Sequence, residues 1–113
     1  MRTEPLVIED LPGPENGQRT LRLKGPLIMT TLFEFQSKVR TDKSRNLILD
    51  FTDVPYVDSA GIGALVGAYV THHRKGLFLV GVSDRVRAAL QITHVEQFFR
   101  FFNSLEEIQS AHV

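Results

Sequence analysis

The sequence predicts an α/β fold with a mixed, mostly parallel β-sheet and the element order β-β-α-β-α-β-α-β-α. Three observations predict it. Residues 47–51, with Asp50 the one charge among them, and 77–80 are short apolar runs bounded by turn formers, the pattern of strands covered on both faces. The stretch between them switches to a helical period. The alternation of strand and helix then continues to the end of the chain, which calls for right-handed crossovers between parallel strands. A length of 113 residues fits one domain, 1–113.

The elements follow in order. Residues 6–11 read as a first strand with Leu6, Ile8 and Leu11 inward. Pro12-Gly13-Pro14-Glu15-Asn16-Gly17 is a dense cluster of turn formers. Residues 20–24 alternate, Leu21 and Leu23 apolar against Thr20, Arg22 and Lys24, as a half-buried strand does. The two strands form an antiparallel hairpin at a sheet edge, with Arg22 and Lys24 on a solvated face. Gly25-Pro26 ends it. Thr31 with Glu34 three residues on is a capping box, and Leu32, Phe35 and Val39 mark the inner face of a first helix fading near Thr41-Asp42. Lys43-Ser44-Arg45 leads into the central strand, where Asp50 is the one charge among residues 47–51.

Thr52-Asp53-Val54-Pro55 breaks that strand, because proline has no N–H for the ladder and disfavours helical geometry in the residue before it. From Ile62, the positions Ile62, Leu65, Val66, Tyr69, Val70 and His73 define one face of a central helix. Gly63 and Gly67 stack four apart on it, and each costs about 1 kcal/mol relative to alanine. The expected return is close approach to a neighbouring backbone. Arg74-Lys75-Gly76 is a C-terminal signal. After the strand 77–80, Ser83 caps a helix carrying Val86, Ala89 and Leu90 inward and Arg85 and Arg87 outward. Residues 99–102 give a last strand. Ser104 with Glu107 opens a terminal helix with Leu105, Ile108 and Ala111 inward.

Composition narrows the function. Apolar and charged residues make up 42% and 23%, ordinary for a globular domain. With 13 basic and 13 acidic residues the formal charge is zero, which argues against a nucleic-acid or membrane partner recruited by bulk charge. No cysteine is present, so there is no disulfide framework or thiolate chemistry. No apolar run reaches the ~18 residues of a membrane span, and Met1-Arg2-Thr3-Glu4-Pro5 lacks the apolar stretch of a signal peptide. The expected compartment is the cytoplasm.

No motif requires a cofactor or a metal. His72 and His73 point about 100° apart on a helix, and His94 and His112 are remote in sequence. No Gly-x-Ser-x-Gly elbow surrounds Ser59, and the glycines at 61, 63 and 67 lack the Lys-Ser or Lys-Thr of a phosphate-binding loop. Phe98, Phe99, Phe101 and Phe102 read as core and not as a base-stacking platform, since little basic charge accompanies them. No acid/base pair points to an enzyme.

The informative stretch is Asp58-Ser59-Ala60-Gly61-Ile62-Gly63 at the head of the central helix. Asp58 and Ser59 are both good N-cap residues, and the plain reading is a cap. The sharper reading is that the small residues Ala60, Gly61 and Gly63 leave the Ser59 hydroxyl uncovered for another protein's active site. The hexapeptide resembles the D-S-[S/T/A]-G-[L/I]-G signature of STAS domains, the fold of bacterial anti-sigma factor antagonists. The resemblance extends to the strand 47–51, the strand 77–80 and the closing segment 90–107.

That resemblance implies the STAS architecture and a phosphoacceptor at Ser59. It further implies a partner-switching cycle. The unmodified antagonist docks on an anti-sigma factor that is also a serine kinase, phosphorylation releases it, and a phosphatase resets it. Asp58, Ser59, Ala60, Gly61, Ile62 and Ile28 are the implied partner-binding residues. Many antagonists carry Gly-Glu-[Leu/Ile]-Asp at the end of the second strand, its aspartate contacting the kinase. Here Gly25-Pro26-Leu27-Ile28 puts isoleucine in the acidic position. A STAS module that docks without phosphorylation and a small-ligand sensor using a cleft near the same helix remain alternatives. His94 stands where the family has glycine, at a turn requiring positive φ.

Overall fold

The computed structural model describes residues 4–111. Its elements are β1 (Val7–Pro12), β2 (Gln18–Lys24), α1 (Leu32–Thr41), β3 (Asn46–Asp53), α2 (Ser59–His72), β4 (Leu77–Val80), α3 (Asp84–Ile92), a 3-10 turn Glu96–Phe98, β5 (Arg100–Phe102) and α4 (Leu105–Ser110). The five strands form one sheet in chain order, β1 antiparallel to β2 and every later pair parallel. This is the mixed sheet that the strand–helix alternation predicts. His112 lies outside the described residues.

The two faces of the sheet are unequal. Leu21, Leu23, Leu47, Leu49, Phe51, Leu77 and Leu79 meet Phe35, Leu65, Val86 and Leu90 from α1, α2 and α3 in the main core. Ile48, Phe78 and Val80 point the other way and are covered by Ile108 of α4. Alternate residues of β3 thus serve opposite faces, which is why that strand reads as an apolar run. Burying a side chain of this size stabilises the fold by about 1.5–3 kcal/mol. Ala111 is exposed, contrary to expectation, because α4 ends at Ser110.

Beyond the reach of α4, the second face is held by charge. Asp50 accepts from Thr52 through both its N (3.0 Å) and its Oγ1 (2.6 Å), and lies 3.3 Å from Arg22 Nε. Glu9 is 3.1 Å from Lys24 and 3.7 Å from Arg22. Arg22 and Lys24 are therefore cross-strand partners as well as a solvated face. Only β1 is the edge strand of the hairpin: β2 lies between β1 and β3, and Thr20 is buried opposite Ile48.

Two helices depart from their sequence patterns. Thr31 does not cap α1 with its side chain: its Oγ1 accepts from Ile28 N (3.0 Å) and faces the Pro26 carbonyl (2.8 Å), so the hydroxyl stabilises the preceding loop. On α2 the buried positions are Gly61, Ala64, Leu65, Ala68 and His72, a stripe rotated by about one residue from the one expected. Val70 and His73 face solvent. The helix is apolar nearly all round, so size decides which face packs, and the small residues win. Gly63 and Gly67 touch no neighbouring backbone; a Cβ on either would meet open space beside α1.

Candidate functional site

The site is assembled by the chain leaving β2. Gly25 takes φ +119°, and its amide donates to the Asp53 carbonyl (3.0 Å). The chain then runs beside the segment following β3, where Leu27 bridges in parallel to Val57 and its amide donates to Tyr56 (3.4 Å). That bridge brings residues 27–29 against the head of α2.

Asp58 is the N-cap of α2, with extended backbone. Its Oδ1 accepts from the Gly61 amide (2.8 Å) and its Oδ2 from the Met29 amide (3.0 Å). One carboxylate therefore caps the helix and ties the loop after β2 to it. Ser59 is the first helical residue. It is exposed, and its hydroxyl has no hydrogen-bond partner among the described residues. The plain reading and the sharper one separate here: Asp58 does the capping, and Ser59 is left over. Among the described residues the amides of Ser59 and Ala60 also lack partners, so free N–H groups of the first turn lie at the same helix end as the hydroxyl.

The remaining signature residues divide. Ala60 and Ile62 are half-buried and pack on the main core. Gly61 is buried, and a Cβ there would collide with the Leu27 carbonyl oxygen. Its smallness lets the β2 loop approach and does not serve to uncover Ser59, as the sequence reading had it. Gly63 is exposed. Ile28 is half-buried in the loop that Asp58 holds, so the structure brings it to the same end of the domain as Ser59.

Met29 is part of this surface and escaped the sequence reading. It is 66% exposed, on the residue whose amide Asp58 binds. The available signal was a run of three apolar residues, Leu27-Ile28-Met29, in a turn between strand and helix, where one must face out. Among the described residues no group of three or more His, Cys, Asp or Glu could hold a metal ion, and no helix is long and apolar enough to cross a membrane.

Fold and site together define a small α/β domain that presents one free hydroxyl at the head of its central helix. The STAS domain profile matches residues 10–108, and the chain belongs to that family. It is similar to the anti-sigma-B factor antagonist of Staphylococcus aureus (strain NCTC 8325 / PS 47), 34% identical over 64 residues, covering 55% of this chain and 59% of that protein. The matched region is thus less than two thirds of that relative. Among solved structures, a Thermotoga maritima protein assigned as an anti-sigma factor antagonist superposes with a TM-score of 0.81 at 16% identity over 92% of both chains. The anti-sigma factor antagonist SpoIIAA of Bacillus superposes in its unphosphorylated form with a TM-score of 0.73 at 17% identity, over 94% of this chain and 96% of that one. These likenesses establish the fold.

Proposed function

We propose that this protein is an anti-sigma factor antagonist that acts in the cytoplasm, docks through the head of α2 on an anti-sigma factor with serine kinase activity, and is switched by phosphorylation of Ser59. The observation that carries this reading is the exposed, unpartnered Ser59 hydroxyl beside a neighbour, Asp58, that already supplies the cap. The names of the relatives support the same reading.

The chemistry divides between the two proteins. Both oxygens of Asp58 are engaged by backbone amides, and neither is hydrogen-bonded to the Ser59 hydroxyl. The base, the ATP and its metal would belong to the kinase: the Ser59 oxygen bonds to the γ-phosphorus as the bond from that phosphorus to the β–γ bridging oxygen breaks, ADP leaves, and the hydroxyl proton passes to the base. Phosphoserine then adds about −1.5 to −2 charge. The free first-turn amides and the helix dipole stabilise that charge in place, while the surface potential next to Asp58 changes sharply. The switch therefore operates at the interface without refolding, and a metal-dependent phosphatase reverses it.

The test is incubation with the cognate kinase and ATP followed by intact-mass measurement. Wild type gains one phosphoryl group and Ser59→Ala none, and Ser59→Asp loses affinity for the unmodified form's partner with an unchanged circular dichroism spectrum. A wild type that binds the kinase yet stays unmodified favours a second reading, a docking module used without phosphorylation. That reading draws on the apolar Ile28 and the exposed Met29 where an acidic contact is the common pattern.

A further inference from the structure

One of the domain's concave features lies at the opposite end of α2 from Ser59, about 20 Å away along 14 residues of helix. A cleft of about 410 Å³ opens at the N-terminal ends of β3, β4 and β5. Three cations face it: Arg74 and Lys75 from the turn after α2, and Arg100 from the start of β5. No aspartate or glutamate lines it.

Three of the unpaired cations converge here, whereas Arg40, Lys43 and Arg85, which also have no carboxylate within reach among the described residues, lie away from the cleft. Arg19, Arg22, Lys24, Lys38, Arg45 and Arg87 each have a carboxylate within salt-bridge reach. Among the described residues Arg74, Lys75 and Arg100 have none. In a chain with as many acids as bases, three unpaired cations around one cleft are a local excess. Arg74 and Lys75 have a structural reason to follow a helix C-terminus. Arg100 comes from another element 25 residues on, and its guanidinium lies over the rings of Phe78 and Phe102, 5.1 and 5.6 Å from their centroids, which holds it at the cleft without neutralising its charge.

The cleft is also built. Asn46, buried at the start of β3, donates from Nδ2 to the Lys75 carbonyl (2.6 Å) and accepts from Gln18 Nε2 (3.0 Å), and the Leu47 amide donates to Gly76 (3.0 Å). Gly76 takes φ +110°, where a Cβ would press on the Asn46 side chain. The turn that presents the two cations is thereby fixed before any ligand arrives. One wall is aromatic, and here the structure corrects the core position expected for Phe98: it is 39% exposed beside the three cations and stacks on Tyr69 with ring centroids 5.1 Å apart, while Tyr69 lies 5.3 Å from the His73 ring.

We propose that this cleft binds a small organic anion, a phosphate monoester carried on a flat ring, with Arg74, Lys75 and Arg100 on the phosphate and Phe98 against the ring. The volume is in the range of small-molecule sites, guanidinium groups match phosphate geometry, and an exposed aromatic wall adds stacking that inorganic phosphate cannot use. The proposal is independent of Ser59, which lies at the far end of the helix.

The test is titration of the full chain, uniformly labelled with nitrogen-15, with phenyl phosphate and separately with inorganic phosphate. Phenyl phosphate is expected to give saturable shifts confined to the amides of residues 74–77 and 98–100. Inorganic phosphate should shift the same amides with roughly tenfold weaker affinity, a preference that Phe98→Ala removes. Arg100→Gln should weaken phenyl phosphate by roughly tenfold. Lys75→Gln, on an exposed turn residue, carries the same expectation if the strand variant fails to fold. Shifts that do not saturate, that spread equally to Arg40 and Lys43, or that ignore both charge variants overturn the proposal.

Discussion

Asp58 and Met29 are joined by a 3.0 Å hydrogen bond from the Met29 amide to Oδ2, while the other carboxylate oxygen of Asp58 caps α2 at Gly61. The signature aspartate is therefore a clamp between two segments 29 residues apart, and the exposed face around Ser59 is held in shape by it. A graded series follows. Asp58→Asn keeps one acceptor oxygen and is expected to destabilise the domain by about 1 kcal/mol, the net worth of one hydrogen bond. Asp58→Ala loses both and should cost about 2 kcal/mol, the upper end for a cap. Urea denaturation measures the order. Faster amide exchange at Met29 in both variants reports the released loop.

The glycines of α2 are predicted to respond in opposite directions. Gly61→Ala drives a methyl group into the Leu27 carbonyl oxygen, a backbone atom fixed by the Leu27–Val57 bridge. Overpacking of this kind costs about 1–3 kcal/mol, and the loop must shift as well. Gly63→Ala and Gly67→Ala place their methyls in open space on an exposed helix face. Each should stabilise by about 1 kcal/mol through helix propensity. Thermal midpoints of the three variants decide it, with Gly61→Ala below wild type and the other two above.

What the sequence made legible was what apolar periodicity controls. The strands of the core and the helices between them follow from runs and spacing that have one physical solution, whereas which of Asp58 and Ser59 caps α2 was open until the structure gave that role to Asp58. The orientation of α2 was not legible, because Gly61, Ile62, Ala64, Leu65, Val66 and Ala68 are all apolar or small and any of several stripes satisfies the pattern. His72, 1% exposed with Nε2 2.9 Å from the Val39 carbonyl, was hidden for the same reason: the expected stripe put His73 inside. Thr31 misled because hydroxyl residues serve loops as readily as caps. Pairings across distance, such as Asp58 with Met29, leave no trace in local spacing.

His94 is a case where sequence and structure agree and strain remains. α3 ends in a Schellman arrangement, with Val95 N donating to the Leu90 carbonyl (3.0 Å) and His94 N to Gln91 (3.1 Å), and His94 takes φ 60°. That conformation costs a non-glycine residue roughly 1–2 kcal/mol. His94 is exposed, so little packing is lost on truncation. His94→Gly is expected to stabilise by about 1 kcal/mol after the added freedom of the unfolded chain is subtracted. His94→Val, β-branched at the same φ, should destabilise by at least as much. Chemical denaturation of the three proteins checks the order Gly above His above Val.

The pH dependence centres on Arg19. Its guanidinium reaches Asp10 across the hairpin (Nε to Oδ1, 2.9 Å) and Asp42 after α1 (Nη1 to Oδ1, 3.0 Å). The hydrogen bonds from Arg19, more than charge alone, hold the Asp10 carboxyl below its ordinary value of 3.8, against a smaller opposing effect of burial. The folded state therefore releases this proton more readily than the unfolded chain. The stability it contributes is complete above the unfolded value and is lost as pH falls through the lower folded value. Asp10 is 42% exposed, and solvent screening limits the contribution to under about 1 kcal/mol. Asp10→Asn should thus lower the urea midpoint slightly and constantly from neutral pH down to about pH 5. Below that the gap to wild type should close, because wild type alone loses stability as Asp10 takes up its proton. A gap that widens in acid would mean that Asp10 is better accommodated neutral than ionised.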